Sequence, residues 1–269
     1  VTSLAAAATQ WYAANARDLP WRRTRDPWAV LVSEVMLQQT PVSRVLPVYE
    51  AWLARWPTPR ALAAEPSGEA VRAWGRLGYP RRALRLHAAA TAIAERGAFP
   101  DDVDDLLALP GVGAYTARAV AVFAFGQRHA VVDTNVRRVV ARACLGVEDT
   151  PPSSKDHARV DALAPDASLA LMELGALVCT KRAPRCDACP LACAWRANGR
   201  PAGAPRKAQP WHGTDRQARG ALMAVLRASH GPADLTDAWP DATQRARALR
   251  GLVEDGLAVE RDGGFVLPG

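Results

Sequence analysis

Lysine is nearly absent from this chain. Only three of its 34 basic residues are lysine, Lys155, Lys181 and Lys207, so chemistry that needs a side-chain amine has few residues to draw on. No apolar run approaches the ~18 residues of a membrane span. No basic stretch precedes an apolar one at the N-terminus, so no signal peptide is expected and the cytoplasm is the expected compartment. Without a secretory signal, five cysteines argue for metal or redox chemistry rather than a disulfide framework. The first 200 residues also lack sustained two-residue alternation, which argues against a sheet there. What remains is ordinary for a folded protein: 269 residues, 49% hydrophobic and 23% charged. That is enough for a real core and too apolar for disorder. The formal charge is +7, of which +6 lies in residues 1–200. A positive excess of this kind suits a nucleic-acid partner rather than a membrane, and a monomer is expected.

The chain reads as helix after helix, over 4–16, 28–39, 42–56, 81–96 and 101–107, with a further helix starting at Ser67 in an N-cap position. A proline- and glycine-rich linker is expected at 201–214. Beyond it, 215–269 carries signals for a helix, a short second helix, a third helix and a terminal hairpin, a winged-helix-like pattern.

Four cysteines cluster as Cys179-x6-Cys186-x2-Cys189-x3-Cys193. Four thiolates this close can enclose one tetrahedral metal or a cubane iron–sulfur cluster. Zinc ribbons pair two C-x2-C knuckles; the wide first gap and single knuckle here favour [4Fe–4S]. Cys144 stands apart and is expected in the core. Leu109-Pro110-Gly111-Val112-Gly113 lies between helical stretches, and its tight turn would leave backbone N–H groups at Gly111, Val112 and Gly113 able to hold a phosphate. Asp133 follows two valines at a helix start, as an N-cap or a catalytic carboxylate.

Together these features make the chain resemble the helix-hairpin-helix DNA glycosylase superfamily, and within it the MutY-type adenine DNA glycosylases, the actinobacterial members in particular. The resemblance runs from Leu4 to about Gly199 through LPWR (19–22), SEVMLQQT (33–40), LGYPRRA (77–83), LPGVGAYTARA (109–119), VVDTNVRRV (131–139), MELGALVCT (172–180) and the cysteine run. It implies an all-α, two-lobed fold: a six-helix barrel at about 28–131, and a cluster lobe from 1–27 plus 132–200. DNA would lie across the cleft between them, with the target adenine flipped out.

The implied activity is monofunctional hydrolysis of the N-glycosidic bond of adenine mispaired with 8-oxoguanine or guanine, a base excision repair step on double-stranded DNA. Glu34 lies in an apolar run, where burial raises a carboxyl pKa and suits a general acid. By resemblance it protonates the adenine, while Asp133 stays ionised and stabilises or traps the oxocarbenium. Bifunctional relatives place a Schiff-base lysine where this chain has Tyr115, and no lysine precedes Lys155. Asn135 would position the catalytic groups. Arg22, Trp21 and Glu173 match adenine-pocket positions. Gln39 and Tyr79 match residues that wedge into the stack, and Thr40 would face the partner base. Two departures stand out. The family's last cysteine gap is five residues and here it is three. Only about 55 residues follow the linker, too few for a NUDIX-like domain, so weaker discrimination between 8-oxoguanine and guanine is expected. The competing readings are a thymine/uracil mismatch glycosylase of the same superfamily and a non-enzymatic iron–sulfur DNA-binding protein.

Overall fold

A computed structural model describes residues 3–163, 166–201 and 211–269; most of the expected linker, residues 202–210, lies outside the described residues. In chain order the helices are α1 (Leu4–Asn15), α2 (Pro27–Leu37), α3 (Val42–Arg55), α4 (Pro59–Ala63), α5 (Ser67–Trp74), α6 (Arg81–Arg96), α7 (Val103–Leu107), α8 (Ala114–Phe123), α9 (Thr134–Val140), α10 (Asp156–Leu163), α11 (Ser168–Leu177), α12 (Ala194–Ala197), α13 (Asp215–Ala228) and α14 (Ala242–Glu254). The strands among the described residues are β1 (Val259–Arg261) and β2 (Gly264–Val266). The expected all-α class holds, and the helix starts follow local chemistry. Ser3, Asp26, Thr58, Asp102, Thr214 and Asp241 each accept a backbone N–H at a helix N-terminus. Ser67, expected as such a cap, is instead the first helical residue after Pro66, and its hydroxyl donates to the Gly269 carbonyl at 3.3 Å.

The chain divides into two compact units. One comprises Val1–Arg25 and Gly113–Arg206, the other Asp26–Val112 and Lys207–Gly269. A helical unit is expected over 28–131; in this division α8 falls in the unit that carries the cysteines.

In the first unit, α9 packs on α11 and α11 on α1. Val136, Val139, Val140, Leu171, Leu174 and Ala8 form a dry floor there, with Cys179 and Cys189 packed against its edge. After α9 the backbone widens into a π-helical turn, Ala141–Leu145. The extra residue in that turn rotates the side chains that follow, so Cys144 is exposed rather than in the core.

In the second unit, α6 packs against α2, α4 and α5. Trp52 meets Trp56 and Trp74 edge-on, with ring centroids 4.7 and 5.7 Å apart, a geometry aromatic rings favour. These tryptophans are core. The residues after the linker fold onto the same unit. α13 and α14 pack together, and β1 and β2 form an antiparallel hairpin turned by Asp262 and Gly263, both at positive φ. This is the two-residue turn that matches strand twist. A bridge between Ala233 and Phe265 extends the hairpin. α5 anchors the module: Arg72 donates to the Arg227 and Ser229 carbonyls, Arg227 donates back to Val71, and the Gly68 N–H donates to Pro268 at 2.8 Å.

Candidate active site and cysteine loop

Asp133 caps α9. One carboxylate oxygen accepts the Val136 N–H at 2.7 Å, and the other accepts the Asn135 side-chain amide at 2.7 Å. Asn135 is itself held, because its Oδ1 accepts from Arg138 at 2.7 Å. The same guanidinium donates to the carbonyls of Gly175 and Cys179, each at 2.7 Å. α11 can come this close only because residue 175 has no side chain. A Cβ there would sit 2.6 Å from the Asn135 Cβ. Burial pushes the Asp133 carboxyl above its ordinary range, against the opposing pull of the Val136 and Asn135 hydrogen bonds and the Arg138 charge. Its ionisation is therefore less secure than the sequence suggested. Tyr115 lies in the first turn of α8 in the same unit, half-buried.

Glu173, on α11, is fully buried. One oxygen accepts from the Arg17 backbone N–H and Nε; the other accepts from Arg17 and Arg22 at 2.7 Å each. Four donors fill the four lone-pair sites of a carboxylate. Glu173 therefore holds Arg22 in place, beside buried Trp21 in the short Pro20–Arg22 turn, rather than offering an open acceptor. Burial pushes its carboxyl up, but the Arg17 and Arg22 hydrogen bonds outweigh that and hold it at about 2. A folded value of about 2 against an ordinary 4.5 means that the ion pair stabilises the fold above pH 4.5. That contribution, on the order of 3 kcal/mol, is lost as pH falls towards 2. Glu173→Gln is therefore expected to lower the melting temperature most at neutral pH. In melts across pH, its deficit relative to wild type should shrink below about pH 4; a deficit independent of pH would contradict the ion-pair account.

In the other unit, Glu34 sits on α2, a helix buried along nearly its whole length, and is 7% exposed. Two loops of this unit carry residues with left-handed backbones. Gln39, at φ 55°, follows α2, and Tyr79, at φ 49°, precedes α6. Both are exposed, Tyr79 by 55%. Thr40 is buried between them, its hydroxyl donating to the Leu77 carbonyl at 3.2 Å, so it faces inward rather than outward. In the hairpin, Gly111 takes φ 77°, and a Cβ there would lie 2.6 Å from the Arg85 Cβ, so glycine is required twice over. Val112 is buried. Gly113 is the N-cap residue of α8 and makes no side-chain cap there.

All four cysteines of the run line one small cavity, with Val178, Leu191 and Trp195 as apolar walls and Arg142 at its side. Arg142 donates towards the Cys179 Sγ at 3.4 Å, and the Cys193 thiol donates to the Arg142 carbonyl at 3.4 Å. The shortened last gap does not keep Cys193 away; it serves as the N-cap residue of α12. Burial raises the Cys189 thiol, a backbone hydrogen bond from Leu191 opposes it, and the other three thiols add to the rise. No group of three or more His, Cys, Asp or Glu among the described residues converges on a single ion. A shared cavity with four thiols at its wall suits a multi-iron cluster better than one zinc.

Sequence reasoning passed over Arg138, Gly175, Arg17 and Arg82. Three of them lie inside quoted motifs, and a signal was there for two. An arginine among buried valines, or among the alanines of an amphipathic helix, must be paired when it faces the core.

Residues 32–161 match the HhH-GPD superfamily of base excision DNA repair proteins. An adenine DNA glycosylase of Mycobacterium tuberculosis (strain CDC 1551 / Oshkosh) is 55% identical over 278 residues, covering 96% of this chain and 91% of that protein. The adenine DNA glycosylase of Homo sapiens is 41% identical over 222 residues, covering 74% of this chain and 40% of that protein. Among solved structures, a thermostable thymine-DNA glycosylase superposes with a TM-score of 0.66 at 28% identity, covering 71% of this chain and 94% of the other. A trapped endonuclease III–DNA covalent intermediate shares the fold, with a TM-score of 0.62 at 24% identity over 72% of this chain and 94% of the other.

Proposed function

The chain belongs to the adenine DNA glycosylases of the HhH-GPD superfamily of base excision DNA repair proteins, and we propose on that premise that it hydrolyses the N-glycosidic bond of adenine mispaired with 8-oxoguanine or guanine in double-stranded DNA. The observation that carries this reading is the Asp133 carboxylate, fixed by Val136 and Asn135 at the start of α9 in a chain so close to the mycobacterial enzyme.

Glu34, buried in α2, donates its proton to the adenine ring so that the base leaves neutral. The C–N bond breaks with its electrons going to the base, and positive charge develops on the sugar. Asp133 stabilises that charge, or bonds to the sugar carbon until water displaces it. Glu34, now ionised, takes the proton from the attacking water. Tyr115 and Asn135 hold the Asp133 carboxylate, and Arg22, fixed by Glu173, lines the adenine pocket with Trp21. Gln39 and Tyr79 enter the base stack. The amides of Gly111 and Gly113 hold a backbone phosphate, giving grip without sequence preference, while the Val112 N–H already donates to the Leu109 carbonyl at 3.1 Å. With tyrosine at 115 no Schiff base forms, so the enzyme leaves an abasic site and an intact strand.

Cys179, Cys186, Cys189 and Cys193 hold a [4Fe–4S] cluster. When bound, it supplies iron–sulfur bonds that staple the 179–193 loop to the fold.

The test is release of bases from duplexes carrying every mispair, with and without alkali. Adenine released opposite 8-oxoguanine and guanine, with strand breaks only after alkali, is the expected result. Thymine released from a G:T pair would move the chain to the pyrimidine-mismatch enzymes. Binding without release would make it a non-enzymatic DNA-binding protein.

A further inference from the structure

Arg82, in the first turn of α6, is 7% exposed and has more partners than any surface role requires. One terminal nitrogen donates to the carbonyls of Val35, Met36 and Gln38 at 2.8, 3.1 and 2.6 Å. The other donates to the Thr40 hydroxyl and the Gly78 carbonyl, both at 2.9 Å, and more weakly to the Leu77 carbonyl at 3.5 Å. The guanidinium also lies over the rings of Trp74 and Tyr79, 5.1 and 5.7 Å from their centroids, and Trp74 donates to the same Gly78 carbonyl at 3.0 Å. Its Nε has no partner. Burial lowers its pKa to about 10, which still leaves it charged at neutral pH.

The acceptors fall in two segments that meet at this side chain. The first is the C-terminal end of α2, the helix that carries Glu34, where carbonyls lack helical partners, and the loop that follows it. The second is the loop before α6. Each loop holds a non-glycine residue in the left-handed region, Gln39 and Tyr79. Such a conformation costs about 1–2 kcal/mol and persists only where the surroundings impose it. The donors that fix the residues on either side of Gln39, and those just before Tyr79, come from one planar fork. A lysine ammonium, a single point with three donors, could not reproduce this.

We propose that Arg82 is the positioning residue for the two loops that probe the DNA: it sets Gln39 and Tyr79 in the conformations from which they enter the base stack, and so decides how well the base opposite adenine is discriminated. This rests on the reading of the chain as an adenine glycosylase with Gln39 and Tyr79 as its wedges. Arg82 does not touch the DNA in this account and acts only through the loops.

The experiment uses the full chain and three readouts. The first is thermal melting. The second is the single-turnover rate of adenine release opposite 8-oxoguanine and opposite guanine. The third is the fluorescence of 2-aminopurine placed opposite 8-oxoguanine, which rises when that base is unstacked. Arg82→Lys is expected to melt as a folded protein. Its release opposite 8-oxoguanine should fall on the order of 10- to 100-fold, its ratio between the two mispairs should approach one, and most of the fluorescence rise should be lost. Tyr79→Ala should add little in the Arg82→Lys background, because both act through one loop. Independent, multiplying effects would overturn the clamp, as would a folded Arg82→Lys with wild-type ratio and fluorescence. If Arg82→Lys does not fold, Thr40→Val removes one acceptor and keeps the shape. It should shift ratio and fluorescence in the same direction by a smaller amount, and no shift counts against the proposal. A wild-type protein that releases no adenine overturns the functional reading instead, and the fluorescence of bound duplex still decides the clamp.

Discussion

Asp133→Asn is expected to lower adenine release by about 10³-fold or more while the protein still folds and binds mispaired duplex. The substitution removes the negative charge proposed to stabilise the developing oxocarbenium. It also turns an amide donor towards the Asn135 amide that now donates to Asp133, so the remaining carbonyl cannot recover the geometry. The pH dependence gives a second check. Burial holds the Asp133 carboxyl above its ordinary value, and the reaction needs it ionised. The acid limb of the single-turnover profile should therefore lie above the range of an exposed aspartate, with activity falling as pH drops through the folded value. For stability the sign is opposite. A raised folded pKa favours the protonated state on folding, so its stabilising contribution is complete below the unfolded pKa and is lost as pH rises through the folded one. The ionised form that the proposed mechanism uses is the form the fold tolerates less well. Asp133→Asn should melt with no such dependence. A variant that kept wild-type rates would remove Asp133 from the chemistry.

How much of this was legible in the sequence depends on the range of the interaction. Features fixed by neighbours could be read directly. Pro27 behind Asp26 starts α2, the apolar residues around Glu34 bury it, Gly111 takes the backbone that the hairpin needs, and the spacing of Cys186, Cys189 and Cys193 brings three thiols to one wall. Residues whose partners lie far along the chain could not be read. Nothing near Glu173 reveals that Arg17 and Arg22, more than 150 residues earlier, fill its acceptors. Thr40 has a hydroxyl that the sequence assigns equally well to solvent or to Arg82. Cys144, expected in the core, lies exposed in a π turn that no residue type announces. The expected boundary near 131 and the division found after Val112 differ by α8 and the residues around it. α8 is apolar on several faces, and only tertiary packing decides which unit it joins.

Arg138→Met is expected to be the most damaging single change outside the catalytic carboxyls. Methionine nearly matches the length of the side chain and keeps its apolar stem, but none of its donors. The carbonyls of Cys179 and Gly175 and the Asn135 Oδ1 would be left without that partner in a site closed by α9 and α11. Removing one member of a buried charged network costs about 3–5 kcal/mol, a melting-temperature loss on the order of 10 °C for a chain of this size. The position of these acceptors makes the consequence specific. Cys179 heads the cysteine run and Asn135 holds Asp133, so one guanidinium ties the backbone of the cysteine loop to the Asp133 carboxylate. Two losses should therefore appear together at a temperature where the variant is still folded: faster removal by a chelator of the iron proposed for the cysteine loop, and slower adenine release at saturating enzyme. Arg138→Lys can reach some of these acceptors but not all, so it should fall between wild type and Arg138→Met on both measures. If iron retention fell while the rate of adenine release held, Arg138 would serve the cysteine loop alone, and the fixing of Asn135 would have to come from the close approach of Gly175.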